Sequence, residues 1–510
     1  MRALPILLLA GLASLPAQQV LQSMSYLDFY WNFTPMGDVN GDGYEDVMVT
    51  SKVYVGPWPN FDDYELRVYS GKDASLIRLG PRTPYPDYIL SFPHGDQDHD
   101  GVRDYVCWER NSATNIQMLS VRSGRDDHVL WAVQQPTGMY WAYHVIGDLD
   151  LDGDGELDVV VSHPVAASQG VIWAYDHQGN LLYQRTGAPP PYTLAQSLAK
   201  LGDVNGDGCD DFLCGLGDPY WYGAVGVISG RTGRLMRIVT GQNFLDYIGS
   251  ACVGCGDLDG DGVPDFAAGG GLSGANGSVQ AFSGATGNRL FSVYSGGTGD
   301  NFGAVLQAGD YDHDGVLDII APTWLGLRVV SGREGVQIAH YAPAPGIQAT
   351  FGRALALKTP SGFPRLLLRS QAPACFLMTT QPRHSEVLGP GCAIAGPAHP
   401  SPRLGMRELS TLDRRLTLSG AEPGSLAFLM LGLASASSGP IGLAPIGLPW
   451  CSLYPSLQVI GGFTTGSSPS DAGFARHDFT VPSPTAFGLG IDAQWLTLDT
   501  NSAPAGLTAG

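Results

Sequence analysis

Charge is scarce in this chain of 510 residues. Asp, Glu, Lys and Arg together make up only 15% of it, too little for charge-driven disorder or for long helices laced with ion pairs. Basic residues are the scarcer kind: 28 Lys and Arg against 48 Asp and Glu leave a formal net charge of −20. A chain of that sign is not built to neutralise a nucleic-acid backbone. Past the first residues, no apolar run approaches the roughly 20 needed to cross a bilayer as a helix. His-Glu-x-x-His, Gly-x-Ser-x-Gly and Gly-Lys-Ser/Thr are absent, and histidines never cluster at ligand spacing. The sequence therefore carries none of the common metalloprotease, hydrolase or phosphate-loop signatures.

What the chain has instead is glycine, 69 of them, and aspartate in a fixed pattern. Six copies of Asp-x-Asp/Asn-x-Asp-Gly-x-x-Asp recur at a spacing near 54 residues. Carboxylates at alternate positions of one short loop repel each other unless a cation lies between them. With oxygen donors and no His or Cys side chain at a ligand position, the pattern asks for a hard divalent ion. A flexible loop suits Ca2+ better than Mg2+, which demands rigid octahedral geometry. The expected ligands are the side chains at positions 1, 3, 5 and 9 and the carbonyl at position 7. In loop 1 these are Asp38, Asn40, Asp42, Asp46 and Tyr44, and in loop 2 Asp96, Asp98, Asp100, Asp104 and Val102. Loop 3 offers Asp150, Asp152, Asp154, Asp158 and Glu156, and loop 4 Asp203, Asn205, Asp207, Asp211 and Cys209. Loop 5 offers Asp257, Asp259, Asp261, Asp265 and Val263, and loop 6 Asp310, Asp312, Asp314, Asp318 and Val316. Loop 3 follows a two-residue insertion, which leaves Asp148 and Asp150 as rival first ligands.

An EF-hand would need a bidentate Glu at position 12 between two helices. Position 12 is Val49, Cys107, Val161, Cys214, Ala268 or Ala321, which excludes it. Aspartates at the side-chain positions number 22 of the 48 acidic residues, so six bound calcium ions would bring the net charge from −20 to −8. Most of the acidity thus belongs to the metal loops. Metal-bound carboxylates also make poor general acids, which weakens a glycosidase reading of these aspartates.

After each loop comes a short β-branched or apolar stretch, such as Asp158-Val-Val-Val-Ser162 or Asp318-Ile-Ile-Ala-Pro322. Further on, a second stretch ends in a turn, as in Val227-Ile-Ser-Gly230. These read as strands, about four per repeat, the size of a propeller blade. Tyr247-Ile-Gly249, Phe302-Gly303 and Phe351-Gly352 mark repeat entries. Phe-Gly entry, aspartate loop and following strand together resemble the FG-GAP (VCBS-type) repeats of integrin α-subunit propellers and of secreted bacterial proteins, over roughly residues 20 to 380. The resemblance implies an all-β, seven-bladed propeller with a recognition surface on the face away from its ions. The seventh repeat, Phe351-Gly352 to Leu368, places Leu357, Thr359, Ser361 and Arg365 where ligands stood; it is expected to bind no metal. Residues near Gln19 to Ser23 are expected to supply its fourth strand.

Residues 1–17 have a positive start, an apolar stretch and a small residue at Ala17, the pattern of a secretory signal peptide. Residues 18–382 are the expected propeller. Residues 383–510 lose the repeat and read as a small β-sandwich, with Cys392 and Cys451 as its one candidate disulfide. Cys252-Val-Gly-Cys255 precedes a loop on a strand, and reads as buried structural thiols in preference to a redox pair. Connections on the rim away from the loops carry Trp58, Tyr220, Trp221 and Trp324, aromatic surfaces suited to a sugar or a protein side chain. The expected function is a secreted, calcium-stabilised binding or adhesion protein with an extracellular glycan or protein ligand and no nucleic-acid partner. The alternatives are a carbohydrate-active enzyme such as a polysaccharide lyase on the same scaffold, and a non-catalytic envelope or matrix protein.

Overall fold

The computed structural model describes residues 19–25 and 29–341, the latter except 54–62, 85–86, 112, 115, 135–143, 164–169, 219, 271–275, 299–300, 305, 312–313 and 324–325. It also describes 353–359, 365–369, 374–379 and, beyond these, 441–442, 452–453 and the C-terminal strands named below. The expected leader, Cys392, Cys451, Trp58, Asp312 and Trp324 lie outside the described residues.

Among the described residues there is no helix, and the protein is all-β. Six antiparallel four-stranded sheets are each built from consecutive strands. The first comprises Phe29–Gly37, Asp46–Val53, Asp63–Tyr69 and Leu76–Thr83. The second runs from Tyr88–Pro93 to Val129–Gln134, the third from His144–Leu149 to Leu181–Thr186, and the fourth from Thr193–Gly202 to Leu235–Thr240. The fifth runs from Ala251–Gly256 to Arg289–Thr298 and the sixth from Gln307–Gly309 to Gln337–Tyr341. A further sheet joins Arg353–Leu357, Arg365–Arg369 and Ala374–Thr379 to Gln19–Ser25, which pairs antiparallel along Ala374–Thr379.

Each inner strand is apolar on both faces because a sheet lies on either side of it. Along Asp158–His163, Val159 and Val161 point to a core shared with the second sheet through Phe92, Val106 and Trp131. Val160 points the other way, to Phe212, Leu216 and Ala224 of the fourth sheet. Alternation of side chains along a strand thus converts an unbroken apolar run into two separate cores. The same device spreads Leu213 and Cys214, or Ala267 and Ala268, to opposite neighbours. Trp173 is a keystone of the core between the second and third sheets, only 1% exposed. Trp173→Ala is expected to cost about 3–5 kcal/mol in urea denaturation, by lost burial and by the cavity it leaves.

The last sheet of this series meets the first. Val47, Val49 and Tyr69 share a core with Leu355, Leu357 and Leu367. Glu45 N donates to Lys358 O at 3.0 Å, and Lys358 N returns a bond to Glu45 Oε2 at 2.9 Å. Arg365 donates to Gly71 O at 2.8 Å and lies over the Tyr44 ring at 4.2 Å. Leu357 is therefore core and Arg365 binds the neighbouring turn, so neither position offers a metal an oxygen.

Cys252 and Cys255 sit on the strand Ala251–Gly256, free and buried, and face different cores. Burial pushes their thiols up to about 11 and about 12, the opposite of what a redox pair needs. Cys107, Cys209 and Cys214 are likewise free and buried. C-terminal strands form separate sheets: Arg403–Glu408, Asp413–Ser419 and Ala475–Thr480 in one, and Gln458–Thr464, Leu426–Leu433, Ile491–Asp499 and Gly506–Ala509 in another.

Candidate metal sites and the opposite rim

Each aspartate loop connects the first strand of a sheet to the second. Glycine at position 6 holds φ between +81° and +89° in all six loops, a region costly for residues with a Cβ. That turn folds the loop back so that its own N–H groups feed its carboxylates. In every loop Oδ2 of the first aspartate accepts the N–H of that glycine, as Asp257 does from Gly262 at 2.8 Å. The position-5 aspartate accepts the N–H of position 7, so Tyr44, Val102, Glu156, Cys209, Val263 and Val316 are held with their backbone at the loop.

Position 9 opens the second strand and is fully buried: Asp46, Asp104, Asp158, Asp211, Asp265 and Asp318 are each 0% exposed. One oxygen accepts the N–H of position 2, from Val39, Gln97, Leu151, Val204, Leu258 or Tyr311. The other accepts the glycine N–H of a Ser-Gly turn between the third and fourth strands: Gly71, Gly124, Gly230, Gly284 and Gly332 at 2.8 to 3.1 Å. This second anchor is absent from the loop pattern itself, although the Ser-Gly pairs that supply it are plain in the sequence.

Desolvation, reinforced by the other carboxylates of the same loop, pushes position 9 up despite these bonds. Asp158 is raised to about 7, Asp46, Asp211 and Asp265 to about 6, and Asp104 is raised in the same direction. Folding has thus placed buried carboxyls where a bound cation would favour their ionised form. Oxygens of Asp96, Asp98 and Asp104 lie within 4.8 Å of one another, as do those of Asp150, Asp152 and Asp158, and of Asp257, Asp259 and Asp265. In loop 4 the Asn205 amide nitrogen lies 3.2 Å from both Asp211 oxygens; a flipped amide would present its oxygen instead.

Loop 3 gives the sharpest test of fit. Its third-to-fourth-strand turn is Asp176-His-Gln-Gly-Asn180, without the Ser-Gly donor, and the Asp158 Oδ1 atom is buried without a hydrogen-bond partner. An ion coordinated by Asp150, Asp152 and Asp158 would satisfy that oxygen. Asp150 accepts from Gly153 at 2.7 Å and Gly155 at 3.0 Å, as first-position residues do elsewhere. Asp148 turns away to Arg103 at 2.7 Å.

At the other end of the fourth sheet, away from its aspartate loop, lies the connection between its second and third strands. There the fourth sheet carries Tyr220 and Trp221, 62% and 52% exposed, beside Tyr222 and Phe244. Asp218 fixes the turn by accepting the N–H groups of Tyr220, Tyr222 and Gly223 at 2.9 to 3.0 Å. Trp221 sits at φ +71° and meets Tyr247 edge-on at 5.3 Å. Trp108 is partly buried against the core of the second and third sheets.

A family profile for the FG-GAP-like repeat matches residues 150–214, which span loops 3 and 4, the last three strands of the third sheet and the first strand of the fourth. This segment of the chain is an FG-GAP-like repeat. Its curated relatives include integrin alpha-V of Gallus gallus, 24% identical over 234 residues, covering 40% of this chain and 22% of the relative. Integrin alpha-PS3 of Drosophila melanogaster is 32% identical over 152 residues, covering 26% of this chain and 13% of the relative. The chain therefore spans only about a fifth or less of the length of these integrins. Among solved structures, a chain of the mitotic checkpoint complex aligns at TM-score 0.45 and 13% identity, covering 74% of this chain and 98% of that one. Saccharomyces cerevisiae Sqt1 aligns at TM-score 0.44 and 12% identity, covering 70% and 97%. Among the described residues, no helix is long and apolar enough to cross a membrane.

Proposed function

We propose that this protein is a secreted, calcium-stabilised seven-bladed β-propeller with a C-terminal β-sandwich that binds an extracellular glycan or protein on the rim away from its metal loops. The calcium reading is carried by the buried, donorless Asp158 Oδ1 in a loop whose carboxylates converge. Calcium's part is structural: the unfolded chain cannot present the cage, so binding adds directly to folding stability. Export favours occupancy, since extracellular calcium fills even sites of about 10⁻⁴ to 10⁻³ M affinity.

The binding reading is supported by exposed aromatic rings held on a rigid turn. Tyr220 and Trp221 offer faces that stack on sugars or receive apolar side chains. A non-Gly residue held at positive φ is strain retained where the surrounding structure demands it. The test is ligand capture on glycan and extracellular-protein arrays. Trp221→Ala is expected to abolish retention of any ligand found while leaving the melting temperature within about 1–2 °C, as for a surface residue. Unchanged retention by the variant would remove this rim from the account.

A further inference from the structure

Three of the six loops already hold a cation. The residue after the Ser-Gly pair is Arg125, Arg231 or Arg333 beside loops 2, 4 and 6 and Ala285 beside loop 5, whereas loop 3, whose turn lacks that pair, faces His177. Arg125 Nε lies 2.6 Å from Asp100 Oδ2, and Arg333 Nε lies 2.8 Å from Asp314 Oδ2. Arg231 Nε is 3.8 Å from Asp207 Oδ1, and its Nη2 donates to Asp207 O at 2.9 Å. Each arginine thus occupies the position-5 residue, and Arg125 and Arg333, like Arg231, donate Nη2 to its main-chain carbonyl. Beside loop 1 the equivalent Lys72 lies over the Tyr44 ring at 5.8 Å, and Asp42 Oδ2 receives the Ser70 hydroxyl. Loop 5 has no basic side chain at this place; in loop 3 the contact to position 5 comes from an imidazole and not a guanidinium, His177 Nδ1 lying 3.1 Å from Asp154 Oδ2, and an unpartnered buried oxygen remains on Asp158.

We infer that the arginines of the Ser-Gly-Arg turns grade the loops into two affinity classes, with calcium held more weakly in loops 2, 4 and 6 than in loops 3 and 5. The inference rests on the calcium reading above. A guanidinium at position 5 cancels one negative charge of the cage and claims the oxygen the ion would take. Calcium must either displace it or bind a cage poorer by one ligand. An exposed pair of unit charges is screened, yet the incoming ion carries two charges, so the expected penalty is roughly tenfold in affinity per site.

Calorimetric titration of the calcium-stripped full chain with CaCl2 tests this. The wild-type protein is expected to show a weak class of three sites separated from the tighter sites, and Arg125→Ala/Arg231→Ala/Arg333→Ala is expected to merge that class with the tighter one. Arg125 and Arg231 have side chains 58% and 47% exposed, so the double variant at these two serves if the triple does not fold; two sites should then move. The converse variant, Ala285→Arg, should shift one tight site into the weak class. A single class of equal sites in the wild type, or an isotherm unmoved by the substitutions, would overturn the grading while leaving calcium binding intact. No calcium bound by any of the proteins would overturn both.

Discussion

Stripping calcium from the folded protein is expected to lower its melting temperature by more than about 10 °C, the largest effect foreseen for any single treatment. One site filled at a hundred times its dissociation constant adds about 2.7 kcal/mol. Even a few such sites outweigh the loss of any one core side chain, and each kcal/mol is worth about 2–4 °C in a domain of 150–250 residues. The pH dependence separates this from a general salt effect. Asp46, Asp211 and Asp265 are raised to about 6 and Asp158 to about 7, from 3.8. A carboxyl raised on folding contributes stability that is complete below its unfolded value and lost as pH climbs through the folded one. The chelated protein should therefore melt lower at pH 8 than at pH 5. With calcium present the charged form is the bound form, and the trend should flatten or reverse. Differential scanning calorimetry at both pH values, with chelator and with CaCl2, reads all four conditions.

Asp265→Ala is expected to be the most damaging substitution in a loop, costing about 4 kcal/mol even in chelator. The carboxyl accepts N–H groups from Leu258 at 2.7 Å, Asp259 at 3.2 Å and Gly284 at 2.8 Å. Truncation strands these donors at a fully buried position, and each buried unsatisfied donor costs about 1–3 kcal/mol. It also unties the loop from the Ser-Gly turn two strands away. Asp261→Ala, by contrast, removes a ligand from the same cage but only one local acceptor, for the Val263 N–H. Its cost in chelator should stay within about 1 kcal/mol, and its effect should appear as lost calcium stabilisation. Urea denaturation at pH 5, below the folded pKa of Asp265, keeps the desolvation of a charge out of the comparison. Equal losses for the two variants in chelator would mean that position 5 is a framework residue.

The loops and the strands after them were readable because both obey short-range rules: a carboxylate on alternate residues, glycine where φ must be positive, and apolar side chains on both faces of a sheet lying between two others. The four-stranded repeat unit followed from the same periodicity. What could not be read depends on contacts some 20 residues or more away. Nothing local says that Gly284 completes the Asp265 carboxylate, that Arg125 answers Asp100, or that Asp148 is drawn off by Arg103 and leaves Asp150 as the loop's first acceptor. Arg365 was legible as a charge in a lapsed loop, but its bond to Gly71 belongs to the meeting of the last sheet with the first. On the far rim, Tyr220 and Trp221 were recognisable as aromatic, while their exposure and the Asp218 bonds that fix their turn came only with the fold.

Crystals of the full chain grown in millimolar CaCl2, with anomalous scattering collected at long wavelength, put the central claim to its most direct trial. The account requires an anomalous peak inside each of the six aspartate loops, coordinated by positions 1, 3, 5 and 9 and the position-7 carbonyl. Density showing those loops filled by water alone, with the position-9 carboxyls protonated and their neighbours turned outward, would contradict it.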